Sequence, residues 1–255
     1  DGFVAVFNRA LDTLIYASYI GGTGNDGRGV TTIRATSDTT YTIGMTATSD
    51  LPHTAPRYFS PTNFVDTTFG NGSDLYIAKF NNINKLYWGN FVGAGGTDFI
   101  NDLELFTDGR VAFCGTIGTG DITETNSAAA KRVSGTLNDG VIGVIQADGN
   151  DNVNTPRKYL YLDQIGGNNA DRLNDVEIIQ DTLYFTGDVS SGFPVTTGTY
   201  DDTWNGSTDA VLGKVFSGGT TGYRATFYGS GTADIGNGLK LVTSNACDGS
   251  GESFL

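Results

Sequence analysis

The chain has 255 residues with a formal net charge of −13 at neutral pH; 37 residues are Gly, 5 are Pro and 17% are charged. That length can carry one sizeable core or several small ones, and the composition is that of turn-rich sheet, not of a disordered segment. So acidic a chain, without a basic run, is unsuited to nucleic acid or to an anionic membrane, which both require clustered Lys/Arg, and no stretch of 18 apolar residues exists to span a bilayer.

The first predicted strand is Asp1-Gly-Phe-Val-Ala-Val-Phe7, followed by Leu14–Ile20 and a Gly-rich turn, Gly21–Asp26. Then come a short alternating run, Val30–Ile33, and a strand ending in glycine, Tyr41-Thr-Ile-Gly44. After a long polar segment the series restarts with Asp74-Leu-Tyr-Ile-Ala-Lys-Phe80, Gly93–Asp98, Leu103-Glu-Leu105 and Val111–Gly115. It restarts again with Asp139-Gly-Val-Ile-Gly-Val-Ile145, Gly166–Asp171, Val176-Glu-Ile178 and Leu183–Gly187. The last round holds Asp209-Ala-Val-Leu-Gly-Lys-Val215, Gly229–Asp234 and Leu239-Lys-Leu241. Every opening run starts with Asp and carries a small residue four positions on (Ala5, Ala78, Gly143, Gly213), as expected where a strand passes close under a neighbouring sheet.

Each unit of about 70 residues thus reads as four short strands rich in Val, Ile, Tyr, Phe and Thr, separated by Gly/Asn/Asp/Ser turns, with no run at helical period. A unit of this size cannot bury its own apolar faces, so the repeat sets the architecture: an all-β β-propeller of four-stranded antiparallel blades. The motifs Asp1–Ala5, Leu14–Asp26 and Tyr41–Pro52, with the link from Phe193-Pro to Trp204-Asn-Gly206, resemble the bacterial SBBP β-propeller repeat. The resemblance is strong in the first and third units and weaker in the second, which has no Phe-Pro after Gly115 and carries Val92-Gly-Ala94 where Gly-Gly is expected. It implies a propeller in a secreted or cell-surface setting and brings no catalytic residues. The start at Asp1 says nothing against export.

By analogy with related propellers, the alternating run is the innermost strand of each blade. Complete blades then span about 29–94, 102–167 and 174–231, flanked by half-blades at 1–28 and 238–255. Two arrangements stay open: the half-blades pair to close a four-bladed ring, or the chain is part of a larger propeller. Either way Val30–Ile33, Leu103–Leu105, Val176–Ile178 and Leu239–Leu241 should lie next to one another. Thr32, Glu104, Glu177 and Lys240 would occupy equivalent positions, with Glu177 close to Lys240.

The repeated Asp26, Asp98, Asp171 and Asp234 are expected to accept backbone N–H bonds from the turns that precede them, a structural role. Recognition is expected on the face carrying the long segments near 49–73, 117–138 and 190–208. Arg57, Tyr58, Phe59, Tyr200 and Trp204 are its candidate anchors. Asp148, Asn150 and Asn152 place oxygens at alternate positions, a spacing that could wrap Ca²⁺, but without the following Gly and bidentate Glu of an EF-hand loop; the same residues also make an ordinary hairpin turn. Asp248-Gly-Ser250-Gly-Glu252 is a weaker variant of that pattern. His53, the single histidine, is the only base available to a nucleophile, and Cys114 and Cys247 fall at non-equivalent positions, consistent with unpaired thiols. Three function classes follow: a non-enzymatic adhesion or protein/glycan-binding module, a propeller enzyme acting on extracellular glycans, and a structural spacer. An enzyme would be marked by inward acids with perturbed titration.

Overall fold

Alternating β-branched and aromatic residues between Gly/Asn/Asp turns form strands, and strands alone, across the described residues. The computed structural model describes residues 1–24, 26, 29–37, 40–48, 51, 72–81, 85–120, 122, 129–132, 137–146, 159–216, 222–242 and 253–254. The strands are β1 (Gly2–Phe7), β2 (Leu14–Ile20), β3 (Val30–Ser37), β4 (Thr40–Ala47), β5 (Asp74–Asn81), β6 (Leu86–Val92), β7 (Phe99–Leu105), β8 (Val111–Ile117) and β9 (Ala129–Arg132). They continue with β10 (Asp139–Ile145), β11 (Tyr159–Ile165), β12 (Arg172–Ile179), β13 (Thr182–Val189), β14 (Asp209–Phe216), β15 (Arg224–Tyr228), β16 (Leu241–Val242) and β17 (Ser253–Phe254).

Pairing follows chain order. The first hairpin, β1-β2, forms a two-stranded sheet; β3-β4-β5-β6 and β12-β13-β14-β15 are antiparallel four-stranded sheets. The middle sheet runs β7-β8-β10-β11 and is extended by β9, which lies parallel to β11. β16 and β17 form a last two-stranded sheet. The alternating runs are first strands of their sheets, each beside its glycine-ending strand: β3 on β4, β7 on β8, β12 on β13.

Three apolar cores separate the successive sheets. Val4 and Ile20 of the hairpin meet Tyr41, Ile43, Tyr76, Phe80 and Phe91. The opposite face of that second sheet, with Leu75, Ile77 and Trp88, meets Leu103, Phe113, Val141 and Tyr159. The back of the middle sheet, with Cys114, Ile142 and Tyr161, meets Val176, Phe185, Val211 and Phe227. Both faces of the inner strands are therefore covered, which is why β8 and β10 read as continuous apolar runs and not as an alternation. Each fully buried Leu, Ile or Phe contributes about 1.5–3 kcal/mol relative to exposure.

The small-residue slot has a different cause from the one its sequence suggests. Gly143 lies directly opposite Phe113 on β8, and Gly213 opposite Phe185 on β13. A Cβ on Gly143 would stand 2.5 Å from the Phe113 ring, and one on Gly213 would stand closer still to the Phe185 ring. The aromatic ring of the adjacent strand in the same sheet lies over the glycine, so the close approach is within a sheet and not between sheets.

Candidate functional site

The first strands bring together ionisable side chains from four sheets. A β-bulge in each of β3, β7 and β12, at Thr31, Asn101 and Asn174, re-aims the residues that follow. Asn101 Nδ2 donates to the Leu173 carbonyl at 2.8 Å, and Asn174 Nδ2 donates to the Gly236 carbonyl at 3.0 Å, so each bulge reaches the next sheet. Aligned on these bulges, Thr32, Asp102 and Asp175 share one slot, and Arg34, Glu104 and Glu177 share another. This corrects the expected equivalence of Thr32 with Glu104: counting from the turn Asp ignores the later bulge of the first unit, and Arg34 is the true counterpart.

The row begins with Arg34, whose Nε donates to Glu104 Oε2 at 2.6 Å and whose Nη2 donates to Asp102 Oδ1 at 3.0 Å. Thr32 Oγ1 donates to the same Asp102 oxygen at 3.0 Å. Asp102 Oδ2 is buried without a donor among the described residues, and its neighbour is the carboxyl of Asp175. Asp175 Oδ2 accepts the Leu239 N–H at 2.6 Å, and its Oδ1 accepts the Val176 N–H at 3.1 Å. The row ends with Lys240 Nζ on Glu177 Oε1 at 2.6 Å, so the expected attraction between these two is present.

Burial first, and then the Asp175 carboxyl, push the Asp102 acid up to about 7, against the opposing pull of Arg34 and Thr32. Cys114, on the strand beside β7, is a fully buried free thiol; burial drives its titration well upward and both acids add to it, which makes it an inert core residue.

A second set of acids sits at the turns. Asp26, Asp98, Asp171 and Asp234 each accept a backbone N–H from the turn before them, from Gly22, Ala94, Gly167 and Ser230, at 2.6–2.9 Å. Asp98 and Asp171 also accept from Gly118 and Ser190 at the end of the second strand, at 2.5 and 2.6 Å. Burial raises both carboxyls, Asp171 to about 6. The glycine that starts each turn faces the Asp at the start of the strand paired with the one it follows: a Cβ on Gly21, Gly93, Gly166 or Gly229 would collide with Asp1, Asp74, Asp139 or Asp209. Only glycine leaves a Cα hydrogen there for the carboxylate to contact.

Of the candidate anchors, Tyr200 is exposed and its ring packs on exposed Tyr228, with centroids 6.3 Å apart. Trp204, four residues on, is 36% exposed. Arg57, Tyr58, Phe59, His53, Cys247, Asp248, the Asp148/Asn150/Asn152 set and the link 49–50 lie outside the described residues. Among the described residues no cluster of three or more His, Cys, Asp or Glu is arranged to hold a metal ion, and no helix is long and apolar enough to cross a membrane.

The Asp102/Asp175 slot and its Asn bulges escaped the sequence reading, although a signal was present: Asp98-Phe-Ile-Asn101-Asp102 and Asp171-Arg-Leu-Asn174-Asp175 carry the same Asp-x-x-Asn-Asp pattern. No protein-family model matches the chain, and no curated protein matches it significantly.

Proposed function

We propose that the chain is a non-enzymatic β-propeller module, of the SBBP type, from a secreted or cell-surface bacterial protein, acting in adhesion through protein or glycan binding. The stacked sheets are its blades, and the first strands joined by the charged row surround its axis. The ligand is met by the long segments that join second to third strands, near 49–73, 117–138 and 190–208. The observation that supports this reading is the row itself: Arg34, Thr32, Lys240 and the Leu239 N–H reach its acids from neighbouring sheets, so the strongly perturbed acid of the row, Asp102, is used to fasten sheets together. Loops on such a scaffold are free to diverge for recognition.

One observation favours an enzyme acting on extracellular glycans, namely the raised titration of Asp102. Glycosidases, however, hold their two carboxyls about 5–9.5 Å apart across a cleft that admits the sugar or a water, whereas Asp102 is buried and held by Thr32 and Arg34 of the neighbouring sheet.

Glycan-array and pull-down binding, compared between the intact chain, a Trp204→Ala variant and variants trimmed at 53–70 or at 123–128, which spares β9, tests the proposal. Binding that falls at least tenfold in one trimmed variant is expected. Unchanged binding after both trims, or a hydrolytic activity abolished by His53→Ala or Asp102→Asn, would overturn it.

A further inference from the structure

The middle sheet breaks the repeat at one buried position. Taking the opening Asp of each unit as origin, Gln164 of β11, paired with Val141, is equivalent to Tyr19, Phe91 and Phe227, which pair with Phe3, Tyr76 and Val211. An amide in a slot that is aromatic in the other units is costly to bury unless its polar groups are met, and Gln164, only 3% exposed, meets them all. Its Nε2 donates to the Gly120 carbonyl at 3.0 Å and to Asp139 Oδ2 at 2.8 Å, and its Oε1 accepts the Ile122 N–H at 3.0 Å. The bonds to Gly120 and Ile122 tie down the start of the connection between β8 and β10. In this unit that connection lacks the Phe-Pro seen at Phe193-Pro194 and packs Ile122 on the core instead.

The same connection returns to β11 as a strand. β9 lies parallel to β11, with Ala129 opposite Leu162 and Arg132 opposite Ile165, and it is the outermost strand of its sheet, with no strand beyond it among the described residues. In the last sheet the corresponding connection also runs along the fourth strand, by the Thr196 N–H to the Ala225 carbonyl and the Phe227 N–H to the Asp201 carbonyl, both at 2.9 Å, but it forms no strand of its own. β9 thus presents, in mid-chain, a row of main-chain donors and acceptors. Charge marks the same edge. In a chain of net charge −13 the only two pairs of adjacent cations are Lys131-Arg132, at the end of β9, and Arg157-Lys158, directly before β11 in sequence. Because the two strands are parallel, one pair falls toward each end of the edge.

We propose that β9 is a docking edge for an extended acidic segment of a protein partner, which adds to the middle sheet as a further strand, and that Gln164 is the residue positioning the connection that carries it. Main-chain bonds supply the affinity of such strand addition, and the cation pairs favour Asp or Glu on either side of the added strand. The inference rests on the reading that the long connections carry recognition, and deepens it by naming one connection and one class of partner.

The probe is a fluorescein-labelled peptide of alternating Thr and Val between two pairs of Glu, titrated into the intact chain by fluorescence anisotropy. The parent should bind it at least about tenfold more tightly than the same peptide with Lys for Glu, and than one with Pro at its centre, which lacks the N–H groups of a strand. A Lys131→Glu/Arg132→Glu double variant should lose about tenfold in affinity. Gln164→Phe restores the aromatic of the other units and should melt close to the parent, yet bind about tenfold more weakly and exchange the amides of 118–132 faster, with those of β12–β15 unchanged. A merely structural Gln164 would leave affinity unmoved at equal stability. No binding of the acidic peptide to the parent, equal binding of the Lys or Pro peptide, a double variant that keeps full affinity, or a Gln164→Phe chain that binds and exchanges as the parent does overturns the proposal. If the peptide fails to bind while pull-down binding still falls on trimming 53–70, this inference is overturned and the broader reading stands.

Discussion

Replacing Asp102 by Asn should flatten the pH dependence of stability. Burial and the Asp175 carboxyl hold the Asp102 acid at about 7 in the folded chain, against an ordinary 3.8. The folded state therefore binds this proton more tightly than the unfolded state, and its stabilising effect is full below about pH 4 and lost as pH rises through about 7. At about 1.4 kcal/mol per tenfold change in proton affinity the gap corresponds to about 4 kcal/mol, which solvent at this partly open cluster reduces to about 2–4 kcal/mol. The groups facing Asp102 are Arg34 and Thr32 from β3, Glu104 from its own strand, Cys114 from β8, and Asp175 and Glu177 from β12, with Lys240 beyond them. Asn at 102 keeps an oxygen for Thr32 and Arg34 and offers an N–H to Asp175 without titrating. Urea unfolding from pH 4 to pH 8.5 should show the parent losing about 2–4 kcal/mol more than the variant, with the curves diverging between pH 4 and pH 7 and running parallel above. Asp98 and Asp171 titrate in the same sense but are common to both proteins, so the difference isolates residue 102. Superimposable pH profiles would refute the buried acid pair.

Further outcomes follow from other contacts. Gly213→Ala places a Cβ on the Phe185 ring and should cost about 1–3 kcal/mol in a thermal melt, whereas Gly231→Ala, where nothing stands within 4 Å, should be close to neutral. Asp171→Ala strands the Gly167 and Ser190 N–H groups in a buried turn and should cost about 1–3 kcal/mol or more by the same assay. Asp234→Ala opens an exposed turn and should cost distinctly less.

Strand content and order were legible because three kinds of signal agreed: β-rich runs, Gly/Asn/Asp turns, and a recurring order of landmarks. Val30–Ile33, Leu103–Leu105 and Val176–Ile178 do lie beside Tyr41–Gly44, Val111–Gly115 and Leu183–Gly187. The register of the first unit was not legible, since a bulge at Thr31 and not at Asn101 or Asn174 leaves no Asn-Asp signature, and Arg34 took the slot assigned to Thr32. The reason for Gly143 and Gly213 was hidden as well: the residue that selects for glycine is a Phe about 30 positions earlier, and only the strand pairing brings it opposite. The binding anchors are the least legible part. Tyr200 and Tyr228 are exposed and stack on one another, and sequence alone cannot separate an aromatic that meets a ligand from one that packs on a neighbour.

The two strongest landmarks of the sequence keep step because they touch. The Asp that opens β1, β5, β10 or β14 and the Gly that begins the turn after the next strand are separated by 19–27 residues, yet the carboxylate occupies the space where a glycine side chain would be. The Asp that ends the same turn then gathers the N–H of the residue just after that glycine. A substitution at any of the three therefore disturbs the contacts of the other two, which is why the three recur together in every unit. The same logic explains the charged row. Buried Asp102 and half-buried Asp175 are tolerable there only while Arg34, Thr32 and the Leu239 N–H arrive from neighbouring sheets, which ties the stacking of each sheet to the sheet beside it through polar contacts as much as through the apolar cores.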